Sequence, residues 1–532
     1  MMKILKIPHY SRFKTRMNTW LLAVILGQLT VPACESGHST EDFFSGSAYS
    51  LLKFKKSRKV PGLAYALFDR YDTLFTSCMG TSSLGSDIDR NTLFSLQSIS
   101  KNMTALAVMK AVQEGLLDLD VPISIYLPSF SVQSCFDSVP EDLITLRMLL
   151  SHTAGFTHEA PVGNNYDFTP CRPEEHLLSI RETWLKFPPG TAYAYSNLGF
   201  DLASAIVEEA AGIGFSQYLK TELFQPLGMT LTTNNDQEVL QTRNRTDGKI
   251  PDINTRHYSI PLPGSGATYS NLSDMIRYTQ MLMNYGEGAQ GALLDKGGIL
   301  DMCTIRKQNY GLGTYINTQD HIWYVNHNGG GFGFSATLLW LPEYGLGSVL
   351  LCNKAENTFD ICMSLMQDYI AAENLEKDPD VTAEFEALNP AVQGAVTEPE
   401  DPSETGDPMD IRTDRNCDCE TWYRPEWEKY LGEYSVLLRG MDLKWYARLA
   451  QKLGLGYQQF WIDQEDQVMT TSGFTGESVL REYRPGLFFT DDYEVLDLRG
   501  EQKTFRNIRV ISKKERTHWD VFESKLDSLV KK

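Results

Sequence analysis

Ser98-Ile99-Ser100-Lys101 places a hydroxyl and an amine three residues apart at the start of a predicted helix. Residues i and i+3 share a helix face, so the lysine can reach the serine hydroxyl. The helix N-terminus adds partial positive charge and free backbone N–H groups. A crowded, partly buried lysine loses its proton readily and can then act as a base toward the serine. The same S-x-x-K spacing recurs at Ser11/Lys14, Ser50/Lys53 and Ser528/Lys531, so the tetrapeptide alone carries little weight. Context separates these sites. Ser11 lies in a leader-like segment, Ser528 in a charged tail, and Ser50 on an early amphipathic helix with no turn before it. Ser98 follows the strand-like run Thr92–Leu96. It opens an apolar-periodic stretch of Ile99, Met103, Leu106, Met109 and Val112, closed by Gly115. The bland alternative is a helix-capping serine beside a solvated lysine.

Two distant segments supply matching chemistry. Phe187-Pro188-Pro189-Gly190 forms a turn, and Tyr195-Ser196-Asn197 follows it. A phenol beside a lysine ammonium is expected to titrate well below its free value and to relay the serine proton to a leaving group. Asn197 carries a donor and an acceptor, suited to a substrate amide and to the lysine. Further on, His327-Asn328-Gly329-Gly330-Gly331-Phe332-Gly333 lies on or beside a predicted strand. Its glycines let a substrate approach the backbone. The N–H groups of Gly330 and Ser98 could form an oxyanion hole. In isolation these are an ordinary polar turn and a glycine-rich bulge with a surface histidine.

The chain has 532 residues, which implies more than one domain. With 42% hydrophobic and 22% charged residues it is globular. A net charge of −19, with no basic stripe interleaved with aromatics, argues against nucleic-acid binding. Residues 1–33 read as an export signal: Lys3, Lys6, Arg12, Lys14 and Arg16 precede the apolar run Trp20–Leu29, which is short for a membrane span. The run ends in Val31-Pro32-Ala33-Cys34, which resembles a bacterial lipobox with Cys34 as the lipidated residue and membrane tether, although the proline departs from that pattern. Plain cleavage after Ala33 is the alternative. Either way the expected location is outside the cytoplasm of a bacterium, in the periplasm or anchored to the outer membrane. The nine cysteines show no CxxC or Cys/His spacing, so neither a metal nor a cofactor is expected. Cysteines 78, 135, 171, 303, 352, 362, 417 and 419 read mostly as small buried apolar side chains, and no pairing follows from their spacing.

Along the chain, residues 42–59 read as a helix, and Gly62–Phe68 with Thr73–Met79 as a hairpin. Four late strands are expected at Tyr310–Asn317, Ile322–Asn326, Phe334–Leu341 and Leu346–Cys352. A turn is expected at Glu343-Tyr344-Gly345, and a helix at Phe359–Ala372. This sets a main domain at 42–375. Residues 376–425 read as an acidic, proline-rich linker. Residues 426–532 carry short alternating strands and read as a small β domain, a barrel or sandwich.

With these residues in place, the chain resembles the serine β-lactamase-like hydrolases: class C β-lactamases, penicillin-binding-protein-like D-peptidases and β-lactamase-like esterases. Ser98-x-x-Lys101, Tyr195-x-Asn197 and His327-x-Gly329 occur in that family's order. Val60-Pro61-Gly62-Leu63-Ala64, Gly115–Asp120 with Tyr126-Leu127-Pro128, Leu149–Phe156, Pro189-Gly190-Thr191 and Tyr310-Gly311-Leu312-Gly313 match too. The resemblance spans about residues 45–370 and is far more specific than any one motif. It implies an α/β (α+β) fold with a mostly antiparallel sheet between helices and a helical subdomain. It also implies acylation of Ser98, proton transfer by Lys101 and Tyr195, and substrate contacts from Asn197, His327, Asn328 and Gly329. His152 would be structural. Tyr430-Leu431-Gly432-Glu433-Tyr434 resembles the start of the lipocalin-like barrel appended to some members. One departure bears on substrate: His327-Asn328-Gly329 stands where β-lactamases carry Lys-Thr/Ser-Gly, and a neutral histidine offers no permanent cation to a carboxylate. Ester or D-peptide-like amide hydrolysis is therefore expected ahead of β-lactam hydrolysis. A cell-wall D-peptidase or transpeptidase is the alternative within enzymes, and a non-catalytic sensor of acyl ligands the alternative outside them.

Overall fold

A computed structural model describes residues 40–390, except 135, 166–168, 252 and 254, and the strands of a C-terminal domain between residues 432 and 512. The expected export signal, Cys34 and the acidic stretch 397–408 lie outside the described residues. The main domain is built on a six-stranded antiparallel sheet. Its strands are β1 (Gly62–Asp69), β2 (Thr73–Gly80), β3 (Tyr315–Gln319), β4 (Ile322–Gly331), β5 (Phe334–Leu341) and β6 (Leu346–Cys352). Their spatial order is β2-β1-β6-β5-β4-β3, so the first hairpin of the chain joins the last four strands.

Period-2 alternation explains why the central strands are apolar throughout. Ala64, Ala66 and Phe68 of β1 enter one core, and Leu63, Tyr65 and Leu67 enter the other. Helices α1 (Thr40–Ser57) and α5 (Phe359–Glu373) cover one face, where Phe43 and Tyr369 meet ring to ring at 5.1 Å. Helices α2 (Ser100–Gln113), α3 (Asn197–Ala211) and α4 (Leu272–Met283) belong to the larger core on the other face. Asn271 caps α4 by accepting the Asp274 N–H at 3.0 Å.

Three boundaries differ from the sequence reading. Thr92–Leu96 forms a strand only at Phe94–Ser95, with a single bridge from Leu93 to Arg245, and Gln97 at φ 50° turns the chain into a 3-10 turn at Gln97–Ile99. Tyr310–Thr314 is a turn, and β3 starts at Tyr315. Gly313 abuts α2, where a Cβ would lie 2.6 Å from the Ala105 Cβ. The third concerns the expected linker 376–425. It begins with a helix, α6 (Pro379–Leu388), that packs Val381 and Phe385 into the main core, while Asn389 accepts the Ile305 N–H at 2.7 Å. Burying those two side chains is worth about 3–5 kcal/mol. A chain ending at residue 390 should therefore melt several degrees above one ending at residue 375, as checked by circular dichroism.

The C-terminal strands form a closed eight-stranded barrel from Gly432–Val436 to Ile508–Ser512, each pairing with its sequence neighbour and the last with the first. Strands Ser478–Arg484 and Lys503–Phe505 were not legible in the sequence. Cys78, Cys303, Cys352 and Cys362 are free thiols, and the last three are buried. Among the described residues no helix is long and apolar enough to cross a membrane.

Candidate active site

Gln97 is the strained residue of the nucleophile segment. A non-glycine residue at positive φ costs about 1–3 kcal/mol and persists only where its surroundings hold it. Here the Gln97 amide donates to Ser95 Oγ at 2.7 Å, and the side chain is buried. The turn presents Ser98 outward: from Thr92 to Ser100 every other residue is buried, and Ser98 alone reaches solvent. Lys101 is wholly buried one turn on.

Lys101 Nζ has three oxygen partners: Ser98 Oγ at 3.2 Å, Asn197 Oδ1 at 2.8 Å and the Ser265 carbonyl at 3.0 Å. The ammonium can donate to all three. The neutral amine donates to Asn197 and Ser265, both acceptors, and turns its lone pair to the Ser98 hydroxyl. Burial drives its pKa down to about 7, against the opposing pull of Asp201 and Glu159. The amine can therefore take a proton from Ser98 near neutral pH.

Tyr195 hydrogen-bonds Ser98 with its phenol. Its ring lies between His152, at 4.3 Å, and His158, at 5.6 Å. The sequence expectation of a phenol titrating below its free value is contradicted. Burial holds Tyr195 above its ordinary range, and the Ser98 hydrogen bond offsets only part of that. The reason is geometric: Lys101 Nζ lies over the ring face, 4.8 Å from the centroid. Tyr195 thus stays a phenol that can donate a hydrogen bond or a proton.

Asn197 heads α3, capped by Ser196, whose hydroxyl accepts the Leu198 N–H at 3.1 Å. It is buried, with Oδ1 on Lys101 and Nδ2 aimed at Glu159 Oε1 at 3.4 Å. Its polar atoms serve the lysine rather than open solvent. His327 is buried as well. Its Nδ1–H donates to the Asn328 carbonyl at 2.8 Å, which leaves Nε2 to accept the Tyr310 hydroxyl at 3.0 Å. Burial, then the neighbouring Lys101, lowers its pKa to about 3. It is neutral, as expected, but both ring nitrogens are taken, so the expectation that it touches substrate finds no free donor. Asn328 is exposed and accepts from Thr337 Oγ1 at 3.0 Å.

The glycine strand runs against the nucleophile turn. A Cβ on Gly329 would lie 2.0 Å from the Leu96 carbonyl oxygen, whereas one on Gly330 would meet nothing within 4 Å. Gly329→Ala should force β4 away from Ser98 and lower kcat by about 100-fold or more, the scale of losing one oxyanion donor. Gly330→Ala should leave kcat within several-fold. Parallel steady-state kinetics on the two variants checks this contrast.

His152 is buried at φ 60°, and its Nδ1 accepts the Ser196 N–H at 3.1 Å. That fixes the Tyr195 loop, in keeping with a structural part. Sequence reasoning missed Glu159, His176, Asp201 and Ser265. Glu159 receives His158 Nδ1 at 2.8 Å and the Asn165 backbone N–H at 3.3 Å. The one available signal was Asp201 at i+4 from Asn197, on the same face of α3. Among the described residues no cluster of metal-binding side chains occurs.

Comparison with known proteins identifies the family. A family model described as Beta-lactamase matches residues 51–367. Penicillin-binding protein 4* of Bacillus subtilis (strain 168) is 25% identical over 297 residues, covering 50% of this chain and 62% of that protein. The D-alanyl-D-alanine-carboxypeptidase/endopeptidase AmpH of Escherichia coli (strain K12) is 26% identical over 320 residues, 56% of this chain and 80% of that one. The octameric penicillin-binding protein homologue from Pyrococcus abyssi superposes with a TM-score of 0.55 at 19% identity, over 87% of this chain and 95% of the other. That likeness extends to the fold. The family match covers more than half the sequence, from α1 to α5, and includes every residue gathered around Ser98: the chain belongs to the beta-lactamase family of serine hydrolases.

Proposed function

We propose that this chain is an exported serine hydrolase that works through an acyl-enzyme on esters or D-peptide-like amides. The observation that supports this most is a fully buried amine, poised near neutrality, 3.2 Å from the one solvent-reaching hydroxyl of the nucleophile turn. In this reading the neutral Lys101 takes the Ser98 proton as Oγ bonds to the substrate carbonyl carbon. The negative charge on the carbonyl oxygen falls to the backbone N–H groups of Ser98 and Gly330. Tyr195 hands its proton to the leaving group and takes one back from the water that attacks the acyl carbon, and the Lys101 ammonium returns its proton to Ser98 Oγ. Water then cleaves the acyl bond and regenerates the Ser98 hydroxyl.

The substrate class follows from charge. A neutral, fully engaged His327 gives no cation to the carboxylate of a penicillin. Neutral esters and internal D-peptide bonds do not need one. The name of the E. coli relative, D-alanyl-D-alanine-carboxypeptidase/endopeptidase, supports a D-peptidase as the second reading. β-Lactamase or transpeptidase activity ranks below both, and a non-catalytic acyl-ligand sensor lowest. Purified protein should be assayed side by side on p-nitrophenyl esters, D-alanyl peptides and nitrocefin. The expected result is a higher kcat/KM for the neutral substrates. Faster cleavage of nitrocefin would overturn the substrate assignment, and turnover of none would favour the sensor.

A further inference from the structure

Behind the lysine, the fold buries a second charged pair that does not touch Ser98. Asp201 has no exposed surface. Its Oδ1 accepts the backbone N–H groups of Gly264 at 3.0 Å and Ser265 at 2.9 Å. Its Oδ2 accepts the Ser265 hydroxyl at 3.0 Å and faces His176 Nε2 at 3.1 Å. His176 is equally buried and points Nδ1 at the Val162 carbonyl, 2.8 Å away. A carbonyl only accepts, and so does an ionised carboxylate, so both ring nitrogens carry hydrogen and the ring is an imidazolium. The clamped turn ends in the Ser265 carbonyl that accepts from Lys101. Thr104 of α2 donates to the Gly264 carbonyl at 2.6 Å and ties the same turn to the nucleophile helix.

We infer that His176 and Asp201 form a positioning unit for Lys101: Asp201 fixes the turn that aims the Ser265 carbonyl at the amine, and His176 balances the Asp201 charge so that the amine can serve as base. The inference rests on the acyl-enzyme reading above. Two charged groups act directly on Lys101. Asp201 and Glu159 favour its ammonium form. The neutral rings of His152 and His327 lie nearby, each held low by burial and then by Lys101. The Tyr195 phenol is uncharged. Burial alone would lower His176, but the hydrogen bond and charge of Asp201, aided by the Val162 carbonyl and the charge of Glu159, outweigh it and hold the ring above its ordinary value. An Asp201 without its imidazolium would pull the proton back onto Lys101.

The test is the pH dependence of Ser98 labelling by a fluorophosphonate, with kcat/KM on the preferred ester, in the full chain. The acid limb of these profiles reports the free base. Asp201→Asn removes the negative charge and should move that limb about one pH unit lower. His176→Gln removes the balancing charge and should move it about one unit higher. Shifts of opposite sign support the inference. Equal loss of rate at every pH, with the limb unmoved, would show a merely structural pair and overturn it. Either variant keeps its own predicted sign if the other fails to fold. Nitrogen NMR of wild-type protein labelled at histidine gives a readout free of variants: His176 should be protonated on both nitrogens at pH 7, and a neutral ring would overturn the inference. A wild type that labels while both limbs stay fixed removes only this inference. A wild type that neither labels nor turns over substrate overturns the hydrolase reading and this inference with it.

Discussion

Ser98→Ala is expected to abolish turnover without unfolding the protein. The serine oxygen is the atom that bonds to the acyl carbon in the proposed path, and no neighbour can replace it. Removal of a serine nucleophile in a comparable machine lowers kcat by about 10⁶-fold. The fold should be indifferent. Ser98 is partly exposed, and α2 has no side-chain cap to lose, since its N-cap is Ile99. Steady-state kinetics with an unchanged melting temperature checks both halves. Residual activity within tenfold of wild type would remove Ser98 from the mechanism.

Lys101→Ala is expected to be almost as damaging, by about 10³-fold or more, because the hydroxyl then has no base beside it. The two losses should not add: the double variant should match Ser98→Ala alone. Lys101→Arg is the sharper control. A guanidinium keeps the positive charge but does not give up its proton, so it should be as inactive as alanine. In the wild type, kcat/KM should rise with pH through about 7 as the lysine becomes neutral. Below that pH the rate should fall about tenfold per unit. Tyr195 is held above its ordinary range and keeps its proton throughout, so it should add no limb near neutrality. A bell whose acid limb survives in Lys101→Arg would assign that limb to another group.

The parts of the site legible in the sequence were those encoded locally. Ser98 and Lys101 are one helical turn apart, so they share a face, and their side chains meet at 3.2 Å. The central strands were legible because both faces of the sheet are covered, which leaves uninterrupted apolar runs such as Phe334–Leu341. The polar and charged groups behind Lys101 were not legible. Glu159, Asp201 and Ser265 reach it from three segments, and His176 from a fourth, so only the tertiary fold brings them together. The Tyr195 expectation failed for a related reason. Sequence told that a lysine and a phenol would be neighbours, but not that the amine would face the ring instead of the hydroxyl. The linker expectation failed at its start because the residues ahead of the acidic stretch still carry Val381 and Phe385 at helical spacing, enough to dock α6.

The most direct test is the intact mass of the full chain after reaction with a fluorophosphonate at pH 8, followed by peptide mapping. A neutral lysine beside an accessible serine should give one adduct per chain, on Ser98, that is absent from Ser98→Ala and strongly slowed in Lys101→Arg. Labelling that persists in Ser98→Ala, or a wild type that takes up no label, would contradict a nucleophile activated by Lys101.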